Sequence, residues 1–373
     1  MNPVQKLHSL GQSLWYDNIE RRLINNGDLK LMIEKNNIRG MTSNPSIFKK
    51  AITQSNDYDD ELVPLVKVGR TKEEIYEHLV ISDIKAACDL FRPLYDKTNG
   101  GDGFVSIEVN PYLANDSVQT VDDAKRLWKL VDRPNLMVKI PATLNGLTAI
   151  AEAVSAGINI NITLIFAIER YDAVVNAYLT GLEKRVSSGK SIKNVSSVAS
   201  FFVSRIDSNV DARLDKIIDK GQDSQGKAKD LQGKIAVASA KLAYDLSKRL
   251  FSSERFMKLQ ESGANIQRVL WASTSTKNPA YPDTKYVDEL IGPKTINTVP
   301  PKTLIAFEDH GKARLTLEED LPSAKLAMED LELIGISMKE VTDELEHKGV
   351  ESFAKDYTSL LDSIEKRRLE VLE

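Results

Sequence analysis

Eight short β-rich runs that recur between amphipathic helical stretches constrain this chain more than anything else in it. The runs are 13–17, 38–43, 104–109, 136–140, 159–166, 195–202, 268–273 and 296–299, and helical patterns such as 82–95, 144–156, 167–186 and 229–251 lie between them. Strands alternating with helices imply a parallel sheet joined by right-handed crossovers. Eight such units in about 250 core residues suit an α/β fold closed as a (β/α)8 TIM barrel. An open doubly wound sheet gives the same alternation, because counting strands does not establish closure. No composition break or Pro/Ser-rich linker divides the sequence. Residues 1–373 therefore read as a single barrel domain with additional N- and C-terminal helices and a C-terminal helical extension from about 301.

In that extension, Ser337-Met-Lys-Glu340 has the spacing of a capping box, and Gly349 is placed to end the helix it starts. Val350, Phe353, Ala354, Tyr357, Leu360, Leu361 and Ile364 then repeat at helical spacing, as in a helix packed on the barrel. The polar stretch 219–230 reads as a surface turn. A net charge of −4 offers no basic field for nucleic acid or a membrane. The single cysteine, Cys88, excludes an internal disulfide and reads as a small core residue. Met1-Asn-Pro-Val-Gln-Lys6 lacks the basic and apolar regions of a secretory signal, and no apolar run reaches the roughly 20 residues needed to span a bilayer. The expectation is a cytoplasmic protein; monomer and homodimer both fit.

Segment 135–143 places Lys139 inside an apolar, β-branched run that reads as a buried strand. Burying an ammonium is costly, so such a site favours the neutral amine, a nucleophile towards carbonyls. Lys139 is thus a candidate Schiff-base former; its alternative is a lysine whose stem crosses the strand end while its head reaches water or a carboxylate. In 159–165 polar and apolar residues alternate. A barrel strand has no wet face, so with the isoleucines against the helices Asn159, Asn161 and Thr163 point inward. Glu108 and Ser200 follow the same pattern, while Asp17 and Asn44 lie at or just beyond strand ends. Complementary chemistry on several strand ends is where this fold gathers catalytic groups. His8, His78, His310 and His347 lack ligand spacing, so no metal is expected. Gly100-Gly-Asp-Gly-Phe104 precedes a strand instead of joining strand to helix, so it reads as a tight turn and not a nucleotide loop.

The chain also resembles a known family. Leu14-Trp-Tyr-Asp17, Thr42-Ser-Asn-Pro-Ser46, Ser106-Ile-Glu-Val-Asn110, Val138-Lys-Ile-Pro-Ala-Thr143, Asn161-Ile-Thr-Leu-Ile-Phe166 and Ala199-Ser-Phe-Phe-Val-Ser-Arg205 follow the order of the transaldolases. Trp271-Ala-Ser-Thr-Ser-Thr-Lys-Asn-Pro279 and the long C-terminal region are similar to the longer bacterial subgroup. The resemblance implies a class I aldolase-type barrel that needs no cofactor. It moves a dihydroxyacetone unit from sedoheptulose 7-phosphate to glyceraldehyde 3-phosphate, in the non-oxidative pentose phosphate pathway. It implies Lys139 as the Schiff-base nucleophile, Asp17 as general base, and Glu108 with Thr163 as holders of a catalytic water. Asn44, Asn161 and Ser200 would bind the dihydroxyacetone unit, and Arg205 and Lys277 the phosphate, with Arg268 a further cation that could contribute. Phe202 stands where related fructose 6-phosphate aldolases carry tyrosine, which favours transfer over simple cleavage. The competing expectations are an aldolase that releases free dihydroxyacetone and a catalytically silent barrel.

Overall fold

The computed structural model describes residues 2–35, 37–223 and 225–372. Its strands are β1 (Gln12–Asp17), β2 (Met41–Thr42), β3 (Val105–Glu108), β4 (Leu136–Pro141), β5 (Ile160–Ile165), β6 (Ser197–Phe202), β7 (Arg268–Ala272) and β8 (Thr295–Val299). All pair in parallel in sequence order, and β8 pairs back onto β1, so the sheet is a closed barrel. Closure removes the open-sheet alternative.

Period-two alternation fills the barrel from within. On β1, Ser13 and Trp15 line a cavity at the amino-terminal end of the strands, whereas Asp17 lines one at the carboxyl end. Val138 and Ile140, to either side of Lys139, are fully buried in the apolar core. The amino-terminal end is closed by a charged network. Asp102, from the glycine-rich turn before β3, accepts from Ser13 (2.8 Å) and the Trp15 indole (3.3 Å) and pairs with Arg39 (3.3 Å) and Arg268 (3.1 Å). The turn's own N–H groups bond internally to Tyr95, Thr98 and Arg39.

Two helix expectations need correction. The 229–251 pattern is split into Lys227–Leu231 and Ile235–Leu250. Gly233 sits between them at φ +67°, donates its N–H to Asp211 and lies against the Tyr281 ring. Gly349 does not end a helix either, for the last helix runs unbroken from Met338 to Leu372. A Cβ at Gly349 would stand 3.0 Å from Leu164 Cδ2, so the missing side chain serves close approach to β5 and not termination.

That C-terminal helix crosses the carboxyl end of the barrel. Ion pairs tether it to neighbouring helices at Arg170–Glu346 (3.2 Å), Arg213–Glu344 (2.5 Å) and Arg367–Asp59. Tyr357 packs edge-on against Tyr76 and Tyr112. Among the described residues no helix is long and apolar enough to cross a membrane.

Candidate active site

Strand register brings the chemistry together. Glu108 pairs with Lys139 across β3 and β4, Lys139 with Asn161 across β4 and β5, and Asp17 with Thr42 across β1 and β2. A cavity of about 250 Å³ opens above them, lined by Asp17, Asn44, Lys139, Thr163, Ser200, Phe202, Arg205 and Lys277. Eight of the ten residues singled out in the sequence thus share one wall. Glu108 and Asn161 stand beside it but do not line it.

Lys139 is 5% exposed. Its Nζ donates to the Ser43 carbonyl (3.0 Å), stands 3.8 Å from Glu108 Oε2, and lies 5.7 Å from the Phe353 ring centroid. Burial lifts the Glu108 carboxyl to about 7, against the pull of Lys139 and with help from the like charge of Asp17. Burial also raises Asp17, opposed by a 2.6 Å hydrogen bond from Thr42 and by the charges of Lys139 and Lys277. Glu108 is thereby held where it exchanges protons near neutrality, and Asp17 is pushed above the usual carboxylate range.

Asn161 is fully buried; its Nδ2 donates to Ser106 Oγ (3.0 Å) and its Oδ1 accepts from Ser200 Oγ (2.7 Å). Glu108 Oε2 and Thr163 Oγ1 are buried without a hydrogen-bond partner among the described residues, the strand-level sign of a polar pair built to hold something else. Asn44 caps the helix Pro45–Thr53 through its Oδ1, accepting from Ile47 N at 3.0 Å. That bond fixes the amide at the cavity rim.

The cationic side joins Arg205, at the start of the helix Ser204–Asp219, to Lys277, in the segment after β7. Burial and the neighbouring guanidinium both press the Lys277 ammonium down. Arg205 stacks over Phe202 at 5.3 Å; burial presses its guanidinium down, opposed by the Asp356 carboxylate on the C-terminal helix. Lys277 donates to Ser275 Oγ at 2.5 Å. Arg268 is not part of this group. As the first residue of β7 it lies at the opposite end of the barrel, held by Asp102, Ser13 and the carbonyls of Gly101 and Thr295.

Sequence reading missed several members. Thr42 holds Asp17 and meets the Thr298 hydroxyl at 2.6 Å. Ser273, Thr274 and Ser275 line the cavity after β7, a position the strand-end rule could have flagged. Ser273 and Leu164 hold φ values of +54° and +61°, and Leu164 coincides with a register shift between β5 and β6. Such backbone strain beside the cavity persists where the surroundings over-determine it. Phe353 had no local signal at all.

Fold and site together put the chain among closed parallel barrels that gather a buried amine and carboxyls at the carboxyl ends of their strands. Comparison with known proteins is more specific. The model of the Transaldolase/Fructose-6-phosphate aldolase family matches residues 14–364, and the chain belongs to that family. A transaldolase of Trichodesmium erythraeum is 46% identical over 370 residues, covering 98% of this chain and 97% of its own. A transaldolase of Thermobifida fusca is 45% identical over 364 residues, 97% of each chain. Transaldolase 2 of Streptomyces coelicolor is 46% identical over 365 residues, 97% of this chain and 96% of its own.

Proposed function

We infer that the chain is a transaldolase, carrying a dihydroxyacetone unit from sedoheptulose 7-phosphate to glyceraldehyde 3-phosphate and yielding erythrose 4-phosphate and fructose 6-phosphate. The observation that carries this reading is the nearly enclosed Lys139 amine with Glu108 Oε2 at 3.8 Å and Asp17 in the same pocket.

In this reading the Lys139 amine adds to the ketose carbonyl, and loss of water leaves an iminium. Asp17 accepts the proton of the hydroxyl on the carbon beyond the scissile bond. The C–C bond breaks, its electron pair moves into the iminium as an enamine, and erythrose 4-phosphate departs. The enamine carbon then attacks the aldehyde of glyceraldehyde 3-phosphate, and Asp17 returns the proton. Water splits the new iminium, freeing fructose 6-phosphate and the amine. Glu108 and Thr163, whose Oε2 and Oγ1 accept no hydrogen bond from the described residues, position that water.

Asn44 and Ser200 face the hydroxyls of the three-carbon unit, while Asn161 holds Ser200 from beneath. Arg205 and Lys277 take the substrate phosphate, which offsets the repulsion between these two gathered cations. Phe202 offers no hydroxyl to the intermediate, which favours transfer over release. We place the enzyme in the cytoplasm, in the non-oxidative pentose phosphate pathway.

The test is mass spectrometry after borohydride reduction with fructose 6-phosphate. A dihydroxyacetone-sized adduct is expected on the peptide bearing Lys139; Lys139→Ala should give none, and Asp17→Ala, which forms the imine but does not cleave, should give an adduct the size of the whole fructose 6-phosphate. An adduct on another lysine would refute the assignment of the nucleophile.

A further inference from the structure

We propose that Phe353, delivered by the C-terminal helix, is a specificity-determining lid that keeps solvent protons off the enamine and so sets the balance between transfer and release. The proposal rests on the Schiff-base reading above. Phe353 comes from far along the chain yet lines the Lys139 cavity, 8% exposed, with its ring centroid 5.7 Å from Nζ. Phe202, from β6, is the other aromatic on that wall and is 7% exposed. Its floor is set by Phe166, packed against it at 5.2 Å. The remaining lining is mostly hydroxyl, amide and charged groups. Two apolar faces thus bound an otherwise polar site, one fixed to the barrel and one borne by a docked helix.

The chemistry gives this arrangement a purpose. An enamine that takes a proton at carbon from water becomes an iminium and leaves hydroxide. A second water then adds at the iminium carbon, the C–N bond breaks, and free dihydroxyacetone leaves with the lysine amine restored. Transfer needs the first of these steps prevented until an aldehyde arrives. Imine hydrolysis uses the water that Glu108 and Thr163 would hold, on groups separate from the Phe353 ring, so an apolar cover near Nζ does not stop productive turnover. The ring also faces a nitrogen that is cationic in both the ammonium and the iminium, an attraction a plain aliphatic cover lacks.

The docking of the helix is built to bring this ring in. Gly349, one turn earlier, admits the backbone to Leu164 and Phe166, and Leu164 itself sits at the bulge beside Thr163. Glu344 and Glu346 anchor the helix to Arg213 and Arg170 just before that contact.

The experiment compares wild type, Phe353→Ala and Phe353→Leu with fructose 6-phosphate. It reads dihydroxyacetone release without acceptor, sedoheptulose 7-phosphate formation with erythrose 4-phosphate, and deuterium incorporated from D2O into released dihydroxyacetone at the reacting carbon. The ratio of release to transfer does not depend on how much enzyme is folded, which separates a lid from a core residue. In Phe353→Ala the ratio should rise about tenfold or more as water reaches the enamine, with faster deuterium uptake, and Phe353→Leu should recover most of the loss. An unchanged ratio and unchanged deuterium uptake in a Phe353→Ala enzyme that still forms the Lys139 adduct would overturn the lid. Absence of that adduct in wild type would instead overturn the Schiff-base reading, and the lid with it.

Discussion

Glu108 is the residue whose environment makes the sharpest demand. A carboxyl raised to about 7 is mostly protonated a unit below that value and mostly ionised a unit above it. If it accepts protons from the catalytic water, only the carboxylate works. The kcat/KM of the wild type should then climb about tenfold per unit as pH rises towards 7 and level off above it. Glu108→Gln should lower the plateau and flatten that limb. A profile that keeps its break near 7 in the Gln variant assigns the ionisation to another group. The placement of the candidate residues was largely legible in the sequence, because a charged or amide side chain inside an apolar strand costs too much to sit there without a partner or a task. Lys139, Glu108, Asn161 and Thr163 all stood out that way. Arg268 did not fit so cleanly, although the signal was there. It opens its run, and the first residue of a parallel barrel strand lies at the end away from the chemistry.

Elements were legible where periodicity was local and illegible where a glycine had two uses. The eight strands and the helix 144–156 follow from alternation and helical spacing alone. Gly349 does not: a glycine after a helical run ends a helix or lets one pack closely, and only the tertiary neighbour decides. Here the neighbour is Leu164, strained at φ +61° on β5. Gly349→Val should therefore cost stability, roughly 1–3 kcal/mol, because its branches meet side chains already in contact. Part of the helix should lift from the strand. Differential scanning calorimetry checks the first effect and dihydroxyacetone release the second. A variant that melts with wild type and releases no more dihydroxyacetone would show that close approach at Gly349 has no consequence. Phe353 was hidden for a related reason. Within an amphipathic repeat, a phenylalanine that covers a lysine looks the same as one that fills a core.

At the scale of the whole molecule the barrel has two ends with opposite duties. The carboxyl end gathers the buried amine, the carboxyls and the cations of the candidate site around one cavity. The amino end spends its charges on Asp102, which stands between Arg39 and Arg268 and is 5% exposed. Asp102→Ala leaves both cations without their shared partner. It should destabilise the fold by roughly 3 kcal/mol, at the low end of breaking a buried pair because the arginines keep some solvent. Turnover at room temperature should stay near that of wild type, since the site lies across the barrel; urea melts and steady-state rates test the two halves. A large loss of kcat with normal stability would contradict this division. The C-terminal helix adds an order in time to this order in space. A nascent chain is made from its amino end, so every strand leaves the ribosome before the helix that brings in Phe353. A product cut short after β8 carries the amine, both carboxylates and the cations, yet lacks the cover. Where a frameshift or a nick near the terminus leaves a product that still folds, that product should be a wasteful enzyme, discharging three-carbon units that the intact chain hands on.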